Sequence, residues 1–475
     1  MIASKGVGKN TTYLTFALVV QKVLSFVYFW FVSTALFPEI LGRYIFALSF
    51  ASLFAIFVDL GITPILIRES SKDTSKANQY LQNVISIKIP LAILTISAMV
   101  LIISISPRPM EVKKLVYLAS IIMLFDAFTL SFWGIFRSFR NMFWESTSII
   151  LVQVIIFSAG ITVLKITGNT LYLMGVLVVA SMFNFLYSAY LIRSKLRFSL
   201  LPKWDKRVIA HFMRLVPVFA LGGIFAKVYL TADTVILGFL AGDRDVGFYA
   251  VPAKTLTALS QVIPAAFAAV IFPVFSKYFV VSKERLHHIV VKSFEYLLIL
   301  SIPMTLGLFA LIPNILTTLW PKYSEVGFTF RIMSLALPFI FLAFVTGYLL
   351  NACDRQKNNT INRGVMAGLT VFINILLIPL YGYIAAGITF FLVNVVVFFM
   401  DYHFIKKVIP IRFRDYSVVF AKIIAASAIM AAVAFVLCQY THFLIVVVIS
   451  AIIYAVLVKL FRIVEFSEIK NRLTH

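Results

Sequence analysis

The chain has 475 residues, 61% of them hydrophobic and only 13% charged. Roughly a quarter of an ordinary soluble domain is charged, so this composition excludes a water-soluble protein. The formal charge of +23 comes from basic residues scattered between long apolar runs. That pattern excludes a nucleic-acid partner and disorder, and fits membrane topology.

At about 20 residues per transmembrane helix, the apolar content suffices for roughly fourteen spans. In chain order the runs predict helices over 10–36, 44–66, 83–105, 115–136, 146–164, 171–192 and 209–239. They continue over 247–275, 289–317, 326–351, 364–380, 383–404, 416–438 and 442–458. Lipid cannot satisfy an open backbone, and a β-barrel would show short alternating segments instead of continuous runs. The expected fold class is therefore all-α, a polytopic membrane protein of fourteen transmembrane helices. The first run is too long, and too poor in a small-residue cleavage site, for a removable signal peptide.

Counting Lys and Arg between the runs places 27 on one face and 7 on the other, in strict alternation. The basic-rich face is the cytoplasmic one, so both termini are expected in the cytoplasm and the protein in the cell membrane. Cys353 and Cys438 then fall at opposite faces and cannot form a disulfide.

An internal repeat is visible at an offset of 205, where Gln21-Lys22-Val23 is matched by Ala226-Lys227-Val228 and Gly42-Arg43-Tyr44 by Gly247-Phe248-Tyr249. Six spans, an even number, separate the copies, so they are parallel repeats related by an axis along the membrane normal. The expected organisation is an N-terminal lobe over 1–207, a second lobe over 208–407, and two further helices with a tail over 408–475.

Several motifs carry a family resemblance. They are Gly42-Arg43-Tyr44 leading to Asp59-Leu60-Gly61, then Phe136-Arg137-Ser138-Phe139-Arg140. The second half adds Asp233-Thr234-Val235-Ile236-Leu237-Gly238, Gly247-Phe248-Tyr249 and Pro321-Lys322-Tyr323-Ser324. In order and spacing, from about residue 10 to 407, the chain resembles the polysaccharide (O-antigen-type) flippases of the multidrug/oligosaccharidyl-lipid/polysaccharide exporter superfamily. The resemblance implies two six-helix lobes around a central V-shaped cavity lined by the first and seventh helices.

Eight basic residues lie inside the expected spans. Lys88, Arg214, Lys292, Arg331 and Lys422 are close enough to a span end to snorkel towards headgroups, and Lys254 is intermediate. Lys22 and Lys227 are different. Each is at least twelve residues from either end of its span, about 18 Å at the helical rise and beyond a lysine's reach. They are repeat mates, and Lys22 sits on a mostly polar stripe of Thr11, Thr15, Leu18, Ser25, Phe29 and Ser33. A lysine bonded to a backbone carbonyl is the plain structural alternative. The favoured expectation is a cationic, substrate-binding cavity using Lys22, Lys227, Lys254, Arg214 and Arg331.

Asp59, Asp126 and Asp233 are the anionic candidates within the spans. Such groups bind a coupling ion, relay protons, or pair with a buried lysine. Asp233, six residues past Lys227, is not on the same helical face. Gln153, Asn184, Gln261, Asn374 and Asn394 are candidates for extending a sugar-binding surface.

Catalytic signals are missing. Gly6-Val7-Gly8-Lys9-Asn10 lacks the first glycine and the Ser/Thr of a phosphate-binding loop, and His287-His288 lacks a third metal ligand. The chain is expected not to be an enzyme and to hold no cofactor or metal; a coupling ion, Na+ or H+, would be its only ionic requirement. The expected activity is translocation of a polyprenyl-(di)phosphate-linked oligosaccharide for surface polysaccharide or glycan synthesis. Expected partners are that lipid-linked substrate, the bilayer, and a glycan polymerase or glycosyltransferases. Alternatives are a multidrug/cation antiporter or peptidoglycan-precursor flippase of the same superfamily, and, from another class, a membrane-embedded glycan polymerase.

Overall fold

The computed structural model describes the backbone of residues 3–463; the side chains of 3–11, 261–263, 265–266, 268–269 and 413 are outside the description. Among the described residues there are fifteen α-helices, joined by short turns, and no strand. They are α1 (Ala3–Ala35), α2 (Pro38–Asp59), α3 (Ile62–Lys72), α4 (Ala77–Ile105), α5 (Met110–Ser138), α6 (Phe143–Thr167) and α7 (Thr170–Lys195). The second half continues with α8 (Lys206–Leu240), α9 (Asp243–Val281), α10 (Lys283–Leu319), α11 (Gly327–Ser334) and α12 (Leu337–Ala352). It ends with α13 (Gln356–Lys406), α14 (Ser417–Leu437) and α15 (Phe443–Leu460).

Twelve described helical segments are long and apolar enough to cross a membrane. One of them, α13, has 51 residues and is turned sharply at Gly382 (φ 53°, ψ −133°), so it holds both spans expected at 364–380 and 383–404. The span expected at 247–275 lies in α9, whose course is marked by Pro252, Pro264 and Pro273. Each of the fourteen expected spans therefore coincides with a helix or a helix pair, and the chain is a multi-pass, all-α membrane protein.

The expected span 44–66 needs correction. The helix stops at Asp59, because Leu60 (φ 44°) and Gly61 (φ 74°) both take left-handed backbone, and α3 starts afresh at Ile62. Two such residues in succession cannot continue a right-handed helix.

The repeat is visible in the element boundaries. α1 ends at Ala35 and α8 at Leu240; α2 starts at Pro38 and α9 at Asp243. Both pairs keep the offset of 205 seen in the sequence motifs.

The described residues pack as two compact units. One holds the chain up to Ala250 together with Thr370–Gly382; the other holds Val251–Leu369 and the residues from Tyr383 onward. In the first, α1 packs on α6, α5 on α7 and α2, and α8 lies along α2, α3 and α4. A core of Ile62, Leu66, Leu81, Phe132, Trp133, Phe136, Leu191 and Phe212 ties these helices together. In the second, α10 is the centre, with α12, α14 and α15 against it.

Candidate functional site

The first unit holds most of the intramembrane charges, and it sorts them into a buried kind and an accessible kind. Asp59 is of the first kind. It closes α2 immediately before the left-handed turn, accepts from the Thr63 amide at 3.3 Å, and also accepts from the Thr63 hydroxyl. Lys88 of α4 reaches its carboxylate at 2.6 Å. The same ammonium donates to the Thr63 hydroxyl at 3.1 Å and to the Ala127 carbonyl at 2.8 Å. Lys88 is completely buried and all three of its N–H groups are used. The expectation that Lys88 snorkels to a headgroup is overturned, because a carboxylate, a hydroxyl and a carbonyl satisfy it inside the protein. Asp59 thus serves as the counter-ion of a buried lysine.

Lys227 of α8 is half-buried, whereas Lys22 of α1 is exposed. Each sits thirteen residues before the end of its helix, about 20 Å along the axis. Lys227 lies within electrostatic reach of Asp126 on α5. The Asp126 carboxylate is accessible and accepts a hydrogen bond from Ser181 of α7 at 2.9 Å. The sequence places these groups a hundred residues apart, on helices that only folding brings together. From Thr15 to Lys22 the polar stripe of α1 is accessible, but Phe29 and Ser33 beyond it are buried, with Ser33 donating to the Trp30 carbonyl at 3.1 Å. The stripe is therefore open along only part of its length.

Asp233 is buried on α8. The Tyr249 hydroxyl donates to one oxygen at 2.6 Å and the Asn374 amide to the other. The first-repeat counterpart of Asp233 is Tyr28, which sits beside Tyr44, the counterpart of Tyr249. An acid at this level thus belongs to the second repeat alone.

Arg214, near the start of α8, is exposed. In the second unit Lys254 is exposed on α9, while Arg331 of α11 is held by α10, its Nε donating to the Phe309 carbonyl at 3.2 Å and its guanidinium lying 5.3 Å above the Phe309 ring.

The amides expected to form a sugar-binding surface are mostly consumed internally. Gln153 accepts from Ser25 at 3.0 Å, Asn184 accepts from Trp133 and Ser148, Asn374 serves Asp233, and Asn394 donates to the Phe390 carbonyl at 2.7 Å. Buried amides in a membrane protein must find partners within it; Gln153, Asn184 and Asn374 do so across helix pairs, and Asn394 within α13. Gln261 lies outside the described side chains.

Several charged groups escaped the sequence reading. Arg43 binds Glu39 at 2.6 Å and also reaches Glu111 and Asp243, while Arg108 pairs with Asp243. Arg137 grips the buried Glu145 with two hydrogen bonds across the α5–α6 turn. In the second unit, fully buried Asp401 accepts from Asn362 at 2.7 Å and from Thr346 and Arg363, both at 2.9 Å. Arg363 entered only the loop count, and Arg43 and Arg137 only that count and the motifs, so their partners went unsought. The one available signal was that Asp401 falls inside an apolar run, where an acid requires a partner.

A family model described as polysaccharide biosynthesis protein matches residues 7–279. The protein named probable flippase AglR, from Haloferax volcanii, is 30% identical over 165 residues, or 34% of this chain and 34% of that protein. The chain thus matches about a third of the length of this curated relative. Among solved structures, the lipid II flippase MurJ in an inward closed conformation has a similar fold, with a TM-score of 0.75 at 17% identity, covering 94% of this chain and 98% of that one. A multidrug resistance MATE family transporter of the MOP superfamily, inward-facing, gives 0.63 at 14% identity over 82% and 98% of the two chains. At such identities the likeness concerns the fold alone. The family match spans more than half of the sequence, and it includes Lys22, Lys227, Asp59, Asp126 and Asp233. The chain belongs to the polysaccharide biosynthesis protein family, with an all-α fold similar to that of these two transporters.

Proposed function

We propose that the chain is a flippase, carrying a polyprenyl-(di)phosphate-linked oligosaccharide across the cytoplasmic membrane by alternating access for surface polysaccharide or glycan synthesis. The observation that carries this reading is the pair Lys22 and Lys227, two repeat-related lysines at the same level of α1 and α8, neither of them fully buried. A charge so far from a helix end costs at least ~3 kcal/mol in lipid unless it meets water, protein or an anion. A diphosphate provides that anion, and an ammonium grips it as a compact point charge. Asp126 compensates Lys227 when substrate is absent, and the incoming diphosphate takes over that role. Arg214, Lys254 and Arg331 add positive charge along the route. The lobes over 1–207 and 208–407, the additional helices over 408–475 and the cytoplasmic termini belong to this same reading.

Transport then draws on an ion gradient or on substrate supply. Asp233 and Asp126 are the acids suited to take Na+ or H+, since Asp59 is already committed to Lys88. A glycan polymerase or glycosyltransferases would act before and after the transfer.

The test is complementation of a flippase-deficient strain, normalised to folded protein in the membrane. Lys22→Ala or Lys227→Ala should stop lipid-linked glycan reaching the outer leaflet, and the Arg variants should retain part of the activity. Full complementation by the double Ala variant would refute the cationic mechanism.

A further inference from the structure

The connection between the repeats runs from the end of α7 at Lys195 to the start of α8 at Lys206. Both flanking helices cross the membrane, so this connection lies at its surface. It has no regular structure, yet it is firmly held against the start of α4. The Ser199 amide donates to Asn78 at 3.1 Å, the Asp205 amide to Asn83 at 2.7 Å, and Ser86 donates to the Lys203 carbonyl at 2.9 Å. Gln79 further anchors the Asp205 side chain at 3.0 Å.

What this fixed backbone presents outward is unusual for a polar loop. Leu201 is 74% exposed and Trp204 63% exposed. Around them Arg197, Lys203, Lys206 and Arg207 are also exposed. The acid among them, Asp205, is turned inward to Gln79 and to the amides that open α8. An apolar tip with an indole, ringed by cations and lying at the membrane plane, has the composition that inserts at a lipid interface beside anionic headgroups. We propose that residues 195–207 are a docking surface for anionic phospholipids, with Trp204 and Leu201 entering the headgroup region and the basic side chains meeting the phosphates. Because the backbone is already bound to α4, little conformational entropy opposes the docking.

The experiment uses the full chain in phosphatidylcholine nanodiscs. These carry the same small fraction of either dibrominated phosphatidylglycerol or dibrominated phosphatidylcholine. The fluorescence difference between wild type and Trp204→Phe isolates the quenching of Trp204. Quenching several-fold stronger by the brominated phosphatidylglycerol is expected. Combined Lys203→Gln, Lys206→Gln and Arg207→Gln substitutions should abolish that preference, so that the two lipids quench alike, at unchanged melting temperature. Leu201→Ser should weaken quenching by both lipids. Equal quenching by the two lipids in wild type overturns the anionic preference. Absence of quenching by either leaves the surface to water or to a protein partner, and also overturns it. So does a preference that survives in the folded triple variant.

Discussion

Gly42 and Gly247 lock each other's helix starts: a Cβ on Gly42 would collide with the Asp243 carbonyl, and one on Gly247 with the Pro38 carbonyl. Pro38 and Asp243 are separated by 205 residues, as are the two glycines. The contact is therefore self-complementary between the repeats, as a two-fold relation requires. Around it Arg43 and Arg108 converge on Asp243. Small residues let helix backbones approach this closely, which is how helices in lipid gain packing energy. Gly42→Ala or Gly247→Ala should each destabilise the protein by about 1–3 kcal/mol, read as a lower melting temperature in detergent. Gly175→Ala should be far milder, since nothing lies within 4 Å of its added carbon.

Asp59→Asn should behave as a folding mutation. It strips the completely buried Lys88 of its counter-ion, at a cost of about 3–5 kcal/mol. Adding Lys88→Met removes the orphaned charge and should recover much of the loss. A double-mutant cycle on thermal melting checks this, and strict additivity would contradict the pairing.

Asp233→Asn should leave folding nearly intact, because its neighbours Tyr249 and Asn374 are neutral. Under the proposed coupling role, transport in proteoliposomes should lose its dependence on a sodium or proton gradient. Native transport indifferent to both gradients would remove the role.

Cys353 closes α12, is only 3% exposed, and burial pushes its thiol up to about 11. Cys438 is half-exposed at the end of α14. An impermeant maleimide should label Cys438 in intact cells. Cys353 should react only after permeabilisation, and then slowly. Labelling of both from one side would break the fourteen-span topology.

Asp205 caps α8, and hydrogen bonds from the amides of Arg207 and Val208 hold its carboxyl below the usual carboxylate range. A lowered folded-state value means that its stabilisation is present above the unfolded value, near 3.9, and is lost as pH falls through the folded one. The melting-temperature gap between wild type and Asp205→Ala should hold from neutral pH to about 5 and close below about 4.

Fold class, span number and the repeat were legible in the sequence, because lipid leaves the backbone one solution and helix boundaries follow the apolar runs. The match of Lys22 with Lys227 was legible for the same reason: depth in a helix is counted along the chain. Which lysine meets which acid was not. Lys88, five residues from a span end, had the spacing of a headgroup anchor, yet it is completely buried against Asp59. Lys227 was compared with Asp233 on its own helix, whereas its neighbour is Asp126 on α5. Partners on different helices are set by how helices rotate and cross, and apolar runs that are hydrophobic all round carry no record of that rotation. The interlocked glycines show the same division. Their offset is written in the sequence, but only the packed helices reveal that a methyl group has no room there.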